Sequence, residues 1–297
     1  MTESLSLLDF YRQQSAITDP GEHVAVFGDL PAAPAEIGRI LHNVLVHNWK
    51  IAAAGLALDE QRRADIETRP VARLLQRIQE ADALGWDVER DIGQRLVVDC
   101  RHFATMLCSI LRHRSVPART RHGFASYLQA GYSQSHVICE YWDEAGGGWA
   151  RFDPDTLQPC DDESRFISAD AAWRGIGAGE LDPTTFGYAP DLKGGWCVRW
   201  ELVRDFAALN KQEMLTFDIW GLNATYPYDA PLDPGDASLL DEIAALLRDE
   251  GGNFAALRGI YERDERVKVP RVIRSQPYTT GRMDTIDLVL DGSMAAA

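Results

Sequence analysis

Apolar residues recur with helical spacing in several stretches of the chain. A period of 3.6 residues places such positions on one face, which a globular protein turns toward its core. The pattern predicts helices over residues 34–50, 66–84, 100–112, 198–213, 237–249 and 253–262. Pro34 suits the first turn of the first helix, and Pro117 forbids continuation of the third.

Alternating apolar and polar positions predict strands as well. Residues 118–128, 135–142 and 147–153 alternate with the period of two that a half-buried strand shows. A Gly-rich turn joins the last two as a hairpin. The tail beyond residue 267 predicts one or two more strands, which Pro270 and Pro277 confine to a sheet edge. A helix followed by an antiparallel meander is an α+β arrangement.

Composition and charge narrow the classes of function. The chain has 297 residues, of which 45% are hydrophobic and 25% charged, and a net charge of −15. These values are typical of a soluble globular protein with a sizeable core. A strongly negative protein repels phosphate backbones and anionic lipid, so we expect no nucleic-acid and no membrane partner.

Cysteine usage indicates the compartment. The five cysteines are an odd number and include no CxxC pair. The N-terminus has early acids and no apolar leader core. Together these features predict reduced thiols in a cytoplasmic protein.

Three residues stand where nucleophilic chemistry needs them. Cys100 opens the helix over 100–112, and the unpaired N–H groups at a helix start favour the thiolate, which is the reactive form of cysteine. His136 begins a strand, where its imidazole can exchange a proton with that thiol. Asp153 ends the next strand and can orient the imidazole. Each residue type alone is usually structural, so it is their conjunction that predicts a nucleophile, a base and an orienting acid.

The segment around these residues resembles the transglutaminase-like branch of the papain-like cysteine enzymes. In that branch a Leu-Arg-x-x-Gly-Ile-Pro-Ala-Arg run follows the nucleophile helix, and His-x-x-x-Glu and Trp-x-x-apolar-Asp-Pro strands complete the motif. This chain has LRHRSVPAR at 111–119, His136 with Glu140, and WARFDP at 149–154. It departs from the pattern where Ser-Val replaces the common Gly-Ile and where His-Val-Ile replaces His-Ala-Trp.

The resemblance implies an architecture for the whole chain. We expect a papain-like α+β core, in which the nucleophile helix packs on an antiparallel sheet, with helical N- and C-terminal extensions. The boundaries would be 1–90 for an N-terminal arm and helical region, 91–168 for the catalytic core, and 169–297 for a helical cover with a short β tail. The three segments are expected to form one compact unit.

Two further short segments resemble one particular group within this branch. DCRHF at 99–103 and LVRDFAALNK at 202–211 are similar to segments of bacterial stand-alone transglutaminase-like proteins. If the second segment covers the site, Asp205 and Asn210 would line it. An amphipathic helix with ordinary polar residues is the alternative.

Four further residues are candidates for contacts with substrate. Gln94 precedes Cys100 by six positions, a spacing at which papain-like enzymes carry an oxyanion-hole glutamine. Arg101 belongs to an acid-free stretch, from 100 to 139, whose five arginines predict a basic neighbourhood suited to an anionic substrate. His102 shares the helix start but points away from the thiol, and Tyr127 is a candidate for the acyl pocket. Packed side chains and an ordinary cationic surface are the alternatives.

No metal or cofactor is predicted. The Cys and His residues lack the CxxC or HExxH pairing of zinc sites, and no calcium loop is evident. The chain also has no P-loop, GxGxxG or GxSxG motif, which leaves nucleotide binding and serine hydrolysis without support.

Three functions compete at this point. The first is acyl transfer, in which Cys100 forms a thioester from an amide or thioester and an amine takes the acyl group. The donor would be a small molecule, a peptide or an acyl group on a carrier protein. The second is hydrolysis by the same three residues, as in a peptidase, amidase or deamidase. The third is a non-catalytic binding module, and the sequence sets no oligomeric state.

Overall fold

Helices and strands are mixed along the chain. The computed structural model describes residues 6–81 and 84–295. The helices are α1 (Leu7–Arg12), α2 (Pro34–Val44), α3 (Asn48–Ala53), α4 (Glu60–Ile66), α5 (Val71–Ala81), α6 (Cys100–His113), α7 (Ala169–Gly177), α8 (Gly195–Leu209), α9 (Gly221–Thr225), α10 (Pro234–Leu246), α11 (Glu250–Arg263) and α12 (Leu288–Asp291). The strands are β1 (Leu45–His47), β2 (Leu96–Val98), β3 (Ala118–Ala125), β4 (Ser133–Asp143), β5 (Gly148–Asp153), β6 (Gln158–Pro159), β7 (Phe166–Ser168), β8 (Phe186–Ala189), β9 (Leu192–Lys193), β10 (Asp218–Ile219), β11 (Val272–Ser275) and β12 (Asp284–Asp287). The predicted α+β class is confirmed.

A central, mostly antiparallel sheet carries His136 and Asp153. Its strands run in the order β6-β5-β4-β3-β7, and β8 pairs with the start of β4 in parallel. On β4, His136 stands in register with Gly123 of β3, and Cys139 stands in register with Phe152 of β5. Helix α6 packs against β3 and β4. The prediction of a nucleophile helix on an antiparallel sheet is therefore confirmed.

Most predicted helices are present with shifted ends. Helix α6 begins at Cys100 as expected, and α8, α10 and α11 lie near their predicted positions. The helix predicted over 66–84 is α5, and residues 82–83 lie outside the described part of the chain. Helix α7 was not predicted. Across residues 6–81 and 84–295, no helix has both the length and the apolar character that crossing a bilayer requires.

The helix predicted over 34–50 is wrong beyond Val44. There the chain enters β1, which pairs in parallel with β2, and α3 begins only at Asn48. Val46 packs in a buried cluster with Val97 of the partner strand. Burial of this strand pair outweighs the helical spacing of the apolar residues, since tertiary packing overrides local propensity. The register places His47 beside Val98, just before the helix that Cys100 opens.

Buried polar contacts join the terminal segments to the core. Arg69 makes two hydrogen bonds, of 2.9 and 2.6 Å, with the carboxylate of Asp218. The Tyr11 hydroxyl donates to the carbonyl oxygen of Leu209 at 2.8 Å. In the core segment, the Ser109 hydroxyl donates to the carbonyl oxygen of Thr18 at 2.6 Å, and Arg112 pairs with Glu213 at 2.9 Å. All three predicted segments therefore contact one another, and the proposed boundaries at residues 90 and 168 stay a prediction.

One buried carboxylate in the middle of β4 binds three arginines. Glu140 accepts hydrogen bonds from Nε of Arg119 at 2.7 Å, Nε of Arg151 at 2.7 Å and Nη1 of Arg121 at 3.3 Å. Burial acts to raise the pKa of Glu140, but Arg121, Arg119 and Arg151 hold that pKa well below its usual range. Charge pairing therefore joins β3, β4 and β5 in addition to their backbone hydrogen bonds.

We expect Glu140→Gln to lower the free energy of unfolding by about 3–5 kcal/mol near neutral pH, because buried guanidinium groups lose their anion. The folded-state pKa lies below the unfolded value of about 4.3, so this stabilisation is present above that pH and is lost as the pH falls through the folded pKa. The difference between variant and wild type in urea unfolding should therefore shrink in acid. The exposed control Glu163→Gln should change little, and a difference that does not vary with pH would contradict the assignment.

Gly123 of β3 stands in register with Ser168 of β7. A Cβ at this position would collide with the carbonyl oxygen of Ile167 and the ring of Phe166. We expect Gly123→Ala to destabilise the fold by about 1–3 kcal/mol, which thermal unfolding would detect. The matched control is Gly148→Ala on β5, where a Cβ would meet open space. Equal effects of the two substitutions would refute steric contact as the cause.

Candidate active site

The first turn of α6 presents the thiol of Cys100. The preceding strand β2 ends at Val98, and Asp99 caps the helix by accepting from the backbone N–H of Arg101 at 3.1 Å. Capping by Asp99 fixes where the helix starts, because it satisfies a donor that has no partner within the helix. Cys100 is 8% exposed. The nucleophile candidate is therefore buried yet reachable at one end of the helix.

His136 and Asp153 meet at the same place. His136 Nε2 lies 2.8 Å from Asp153 Oδ2, and the imidazole lies close enough to the Cys100 thiol for each group to act on the pKa of the other. Asp153 is fully buried and accepts further hydrogen bonds from the Thr156 hydroxyl at 2.5 Å and the Asp155 backbone N–H at 2.9 Å. The structure thus brings the three predicted residues together in the order thiol, imidazole, carboxylate.

The electrostatics of this group favour a protonated imidazole. Burial acts to lower the pKa of His136, but Asp153 and Cys100 raise it well above its usual value. Burial acts to raise the pKa of Asp153, and His136, Thr156 and Tyr127 outweigh it, so that the carboxyl is ionised. A charged imidazolium therefore lies between an anionic carboxylate and the thiol.

The pKa of Cys100 moves in the direction opposite to the sequence expectation. Burial raises the pKa of the thiol, the imidazolium of His136 lowers it, and the carboxylates of Asp99 and Asp155 raise it further. The sequence shows the helix start but not the degree of burial, and burial has the larger effect here. Thiolate formation at Cys100 therefore depends on the charge of His136.

Tyr127 contacts the acid of the group rather than an open pocket. Its hydroxyl donates to Asp153 Oδ2 at 2.8 Å and lies 3.2 Å from the sulfur of Cys160. Burial and the Asp153 charge raise the pKa of Tyr127 far above its usual value, so the phenol keeps its proton and remains a donor. Its ring lies edge-on to His136, with centroids 6.3 Å apart. The structure thus places Tyr127 where it can hold Asp153 in position.

The other three candidates for substrate contact point elsewhere. Gln94 is exposed, and its side-chain oxygen accepts from the backbone N–H of Asp91 in its own 3₁₀ turn. Arg101 is fully buried and donates to the carbonyl oxygens of Glu213 and Arg69. His102 is fully buried between Asp99 Oδ1, at 2.7 Å, and the Thr68 carbonyl oxygen, at 2.9 Å. These side chains are occupied by contacts within the fold and do not face the thiol as substrate contacts.

The expected basic neighbourhood is not on the surface of the site. Arg112 pairs with Glu213 at 2.9 Å, and Arg119 and Arg121 pair with Glu140. The guanidinium group of Arg114 donates to backbone carbonyl oxygens of residues 27, 30 and 31. These guanidinium groups are paired inside the fold, so they provide no positively charged surface for an anionic substrate.

Asp205 and Asn210 also lie away from the nucleophile. Helix α8 packs against β3, and there Asp205 accepts from Arg121 at 3.0 Å and from the backbone N–H of His122 at 2.7 Å. Asn210 accepts from Arg258 of α11 at 2.6 Å. The segment over 202–211 therefore supports the sheet, and its two polar residues are not part of the candidate site.

The structure adds residues that the sequence did not single out. Because β1 runs parallel to β2, His47 and Asn48 stand beside the residues that lead to Cys100. His47 Nε2 lies 3.7 Å from Asp155 Oδ2, and Asn48 Nδ2 donates to the Tyr278 hydroxyl at 2.6 Å. No local pattern indicates this placement, because histidines on an apolar stripe usually pack, and the pairing of β1 with β2 is not local.

Exposed aromatic rings border this end of α6. Trp49 is 57% exposed and Tyr278 is 53% exposed. Tyr278 lies close enough to Cys100 and Asp99 for their charges to act on its phenol. Large exposed rings beside a buried thiol are suited to contact with a ligand. Among the side chains that the structure describes, no group of three or more His, Cys, Asp or Glu residues is arranged to hold a metal ion.

Comparison with known proteins agrees with this geometry. Residues 87–154 match the family model of the transglutaminase-like superfamily, and this span holds Cys100, His136 and Asp153. No curated protein matches the chain. A solved structure of a protein from Cytophaga hutchinsonii, provisionally named a cysteine protease, is 18% identical with a TM-score of 0.33, over 54% of this chain and 45% of that one. The chain thus spans less than half of that protein, and so distant a likeness supports no conclusion about mechanism.

The electrostatics predict how Cys100 reacts with iodoacetamide. Its alkylation rate should rise with pH through the pKa of the thiol. In His136→Ala the midpoint of the curve of rate against pH should move up by about one pH unit or more, because the positive charge that stabilises the thiolate is lost. Peptide mass spectrometry would follow Cys100, with buried Cys108 as an internal reference and His23→Ala as a matched control. An unchanged midpoint in His136→Ala would contradict the contact between thiol and imidazole.

Proposed function

We propose that this chain, whose residues 87–154 belong to the transglutaminase-like superfamily, is a cysteine enzyme that passes acyl groups from an amide or thioester to an amine. One observation carries the proposal. A thiol at a helix start lies close to an imidazole whose Nε2 is 2.8 Å from a buried carboxylate. In this proposal Cys100 is the nucleophile, His136 the acid and base, and Asp153 the residue that orients His136.

The first step would form a thioester. The Cys100 thiol first releases its proton to solvent, which leaves a thiolate opposite the imidazolium of His136. The sulfur then attacks the carbonyl carbon of the donor, and His136 gives its proton to the leaving amine or thiol as the C–N or C–S bond of the donor breaks. The backbone N–H of Cys100 has no intrahelical partner, so it can donate to the oxyanion of the tetrahedral intermediate. Asp153 stabilises the imidazolium before the proton leaves.

The second step would release the acyl group. An amine attacks the thioester carbonyl, a C–N bond forms, the C–S bond breaks, and the proton from nitrogen passes to His136. The products are an amide and the starting thiolate–imidazolium pair. Water in place of the amine would give a hydrolase with the same residues, and the experiment below separates the two.

The test is acylation by p-nitrophenyl acetate, followed by partition of the acyl-enzyme between water and added n-butylamine. We expect a burst of p-nitrophenol, an acetyl group on Cys100, and N-butylacetamide as the main product. Cys100→Ala should lower the rate by about 10³-fold or more, because removal of a nucleophile abolishes the covalent route. Cys197→Ala, which removes a buried thiol of α8, is the matched control.

Other outcomes would revise the proposal. A burst followed by release of acetate at a rate that the amine does not change would favour a hydrolase. The absence of both the burst and the acetyl group on Cys100 would refute the enzyme and favour a binding module.

A further inference from the structure

We infer that His47 and Asp155 form the subsite that binds and deprotonates the acceptor, and that the acceptor is a cationic primary amine. The inference rests on the proposed function and specifies the second step of that reaction. His47 lies outside the span that matches the family model, and Asp155 is the residue just after it.

Chain topology brings the two residues to Cys100 from different directions. The pairing of β1 with β2 sets His47 beside Val98. Asp155 follows Asp153 in the turn after β5, where its backbone N–H donates to Asp153 Oδ1 at 2.9 Å. The side chains of His47 and Asp155 then approach to 3.7 Å. Both lie within electrostatic reach of the proposed catalytic group, since the Asp155 charge acts on the Cys100 thiol and His136 acts on His47.

The carboxylate of Asp155 has capacity for a ligand. Its side chain is 5% exposed, and within the described ranges 6–81 and 84–295 no group donates a hydrogen bond to its oxygens. The 3.7 Å separation from His47 is longer than a hydrogen bond. Asp153, two residues earlier, accepts from His136, Tyr127 and Thr156. Because a buried carboxylate is stable only when it is paired or hydrogen-bonded, a ligand with a positive charge and N–H donors suits Asp155.

The surroundings favour a cation over an anion. The arginines of the acid-free stretch are engaged inside the fold, while the carboxylates of Asp99 and Asp155 both act on the thiol. At the start of α3, the exposed ring of Trp49 has the ammonium group of Lys50 5.5 Å from its centroid. The same ring lies 6.1 Å from the imidazole of His47, centroid to centroid, so an aromatic face that can hold an ammonium group borders the subsite.

His47 can remove the proton that prevents the acceptor amine from attacking the thioester. A lysine-type amine has a pKa of about 10.4, so near neutral pH it is an ammonium ion. Burial lowers the pKa of His47; among the charges that face it, Asp155 and Asp99 raise that pKa, and His136 and Lys50 lower it. The pKa is lowered overall, which favours the neutral imidazole. Its Nδ1 accepts only a long contact, of 3.5 Å, from the backbone N–H of Trp49, while Nε2 faces Asp155, so Nδ1 is the atom that can take a proton.

The protons balance over the second step. The ammonium ion gives one proton to His47, and the free amine attacks the thioester. As the C–N bond forms and the C–S bond breaks, the second proton passes from nitrogen to His136, which restores the thiolate–imidazolium pair. His47 then releases its proton to solvent, so each acyl group transferred from a thioester to an ammonium ion liberates one proton.

The test uses the full chain acetylated on Cys100 by p-nitrophenyl acetate and compares two nucleophiles. n-Butylamine is an ammonium ion near neutral pH, whereas hydroxylamine is uncharged and needs no base to deprotonate it first. We expect His47→Gln and Asp155→Asn to slow transfer to butylamine by about 10²-fold, which is a typical contribution of a general base, and to leave transfer to hydroxylamine nearly unchanged. His23→Gln, whose histidine pairs with Gln79 on α5, is the matched control.

Each outcome decides the inference. Equal slowing with both nucleophiles, or no slowing with butylamine, would overturn the subsite while the burst of p-nitrophenol still supports the proposed function. If the His47→Gln variant is not acylated but the Asp155→Asn variant is, the two nucleophiles are compared with Asp155→Asn alone. Loss of acylation in both variants would place the pair in the first step and overturn its role as an acceptor subsite. A wild-type protein without a burst would overturn the proposed function itself, and the subsite with it.

Discussion

The pairing of buried arginines with carboxylates is the constraint on which this fold most depends. Glu140 lies in the middle of β4 and binds arginines from both neighbouring strands. Arg121 continues the network to Asp205 of α8, and Arg119 continues it to Glu250 of α11. A buried charge without its partner is costly, so the C-terminal helices cannot separate from the sheet without breaking several pairs at once. Since β4 also carries His136, the same network fixes the strand from which the imidazole reaches the thiol.

Within that frame, two carboxylates set the geometry of the candidate site. Asp99 caps α6 and holds His102, which in turn contacts the carbonyl oxygen of Thr68, so the start of α6, and Cys100 with it, is tied to the loop between α4 and α5. Asp153 takes hydrogen bonds from several donors and remains ionised. The cost of burying Cys100 appears as a raised thiol pKa, and the imidazolium that Asp153 stabilises opposes this rise. Reactivity at the thiol is therefore determined by the pair of His136 and Asp153 rather than by the helix start alone.

The sequence predicted the residues whose signals are local and missed those whose position depends on distant pairing. Cys100 at a helix start and His136 on a strand are recognisable from the few residues around each of them. The position of His47 depends on a parallel pair formed with residues 96–98, while the apolar spacing around it predicts a helix. The arginines show the same limit. An acid-free stretch indicates a basic surface only if no acid reaches it in the fold, and Glu213 and Asp205 do reach it from far along the chain.

The pKa values of two histidines near the Cys100 thiol are shifted in opposite directions by their surroundings. Burial disfavours the charged form of both, but His136 has a carboxylate at 2.8 Å and His47 has one only at 3.7 Å. The shorter contact raises the pKa of His136, whereas for His47 burial prevails and its pKa falls. Groups whose pKa values are pushed apart in this way suit the roles of acid and base in one reaction. A reaction that protonates a leaving group in its first step and deprotonates an incoming ammonium ion in its second needs one imidazole of each kind. Hydrolysis needs no ammonium ion to be deprotonated, so the second imidazole is the feature that favours an amine over water as the acceptor.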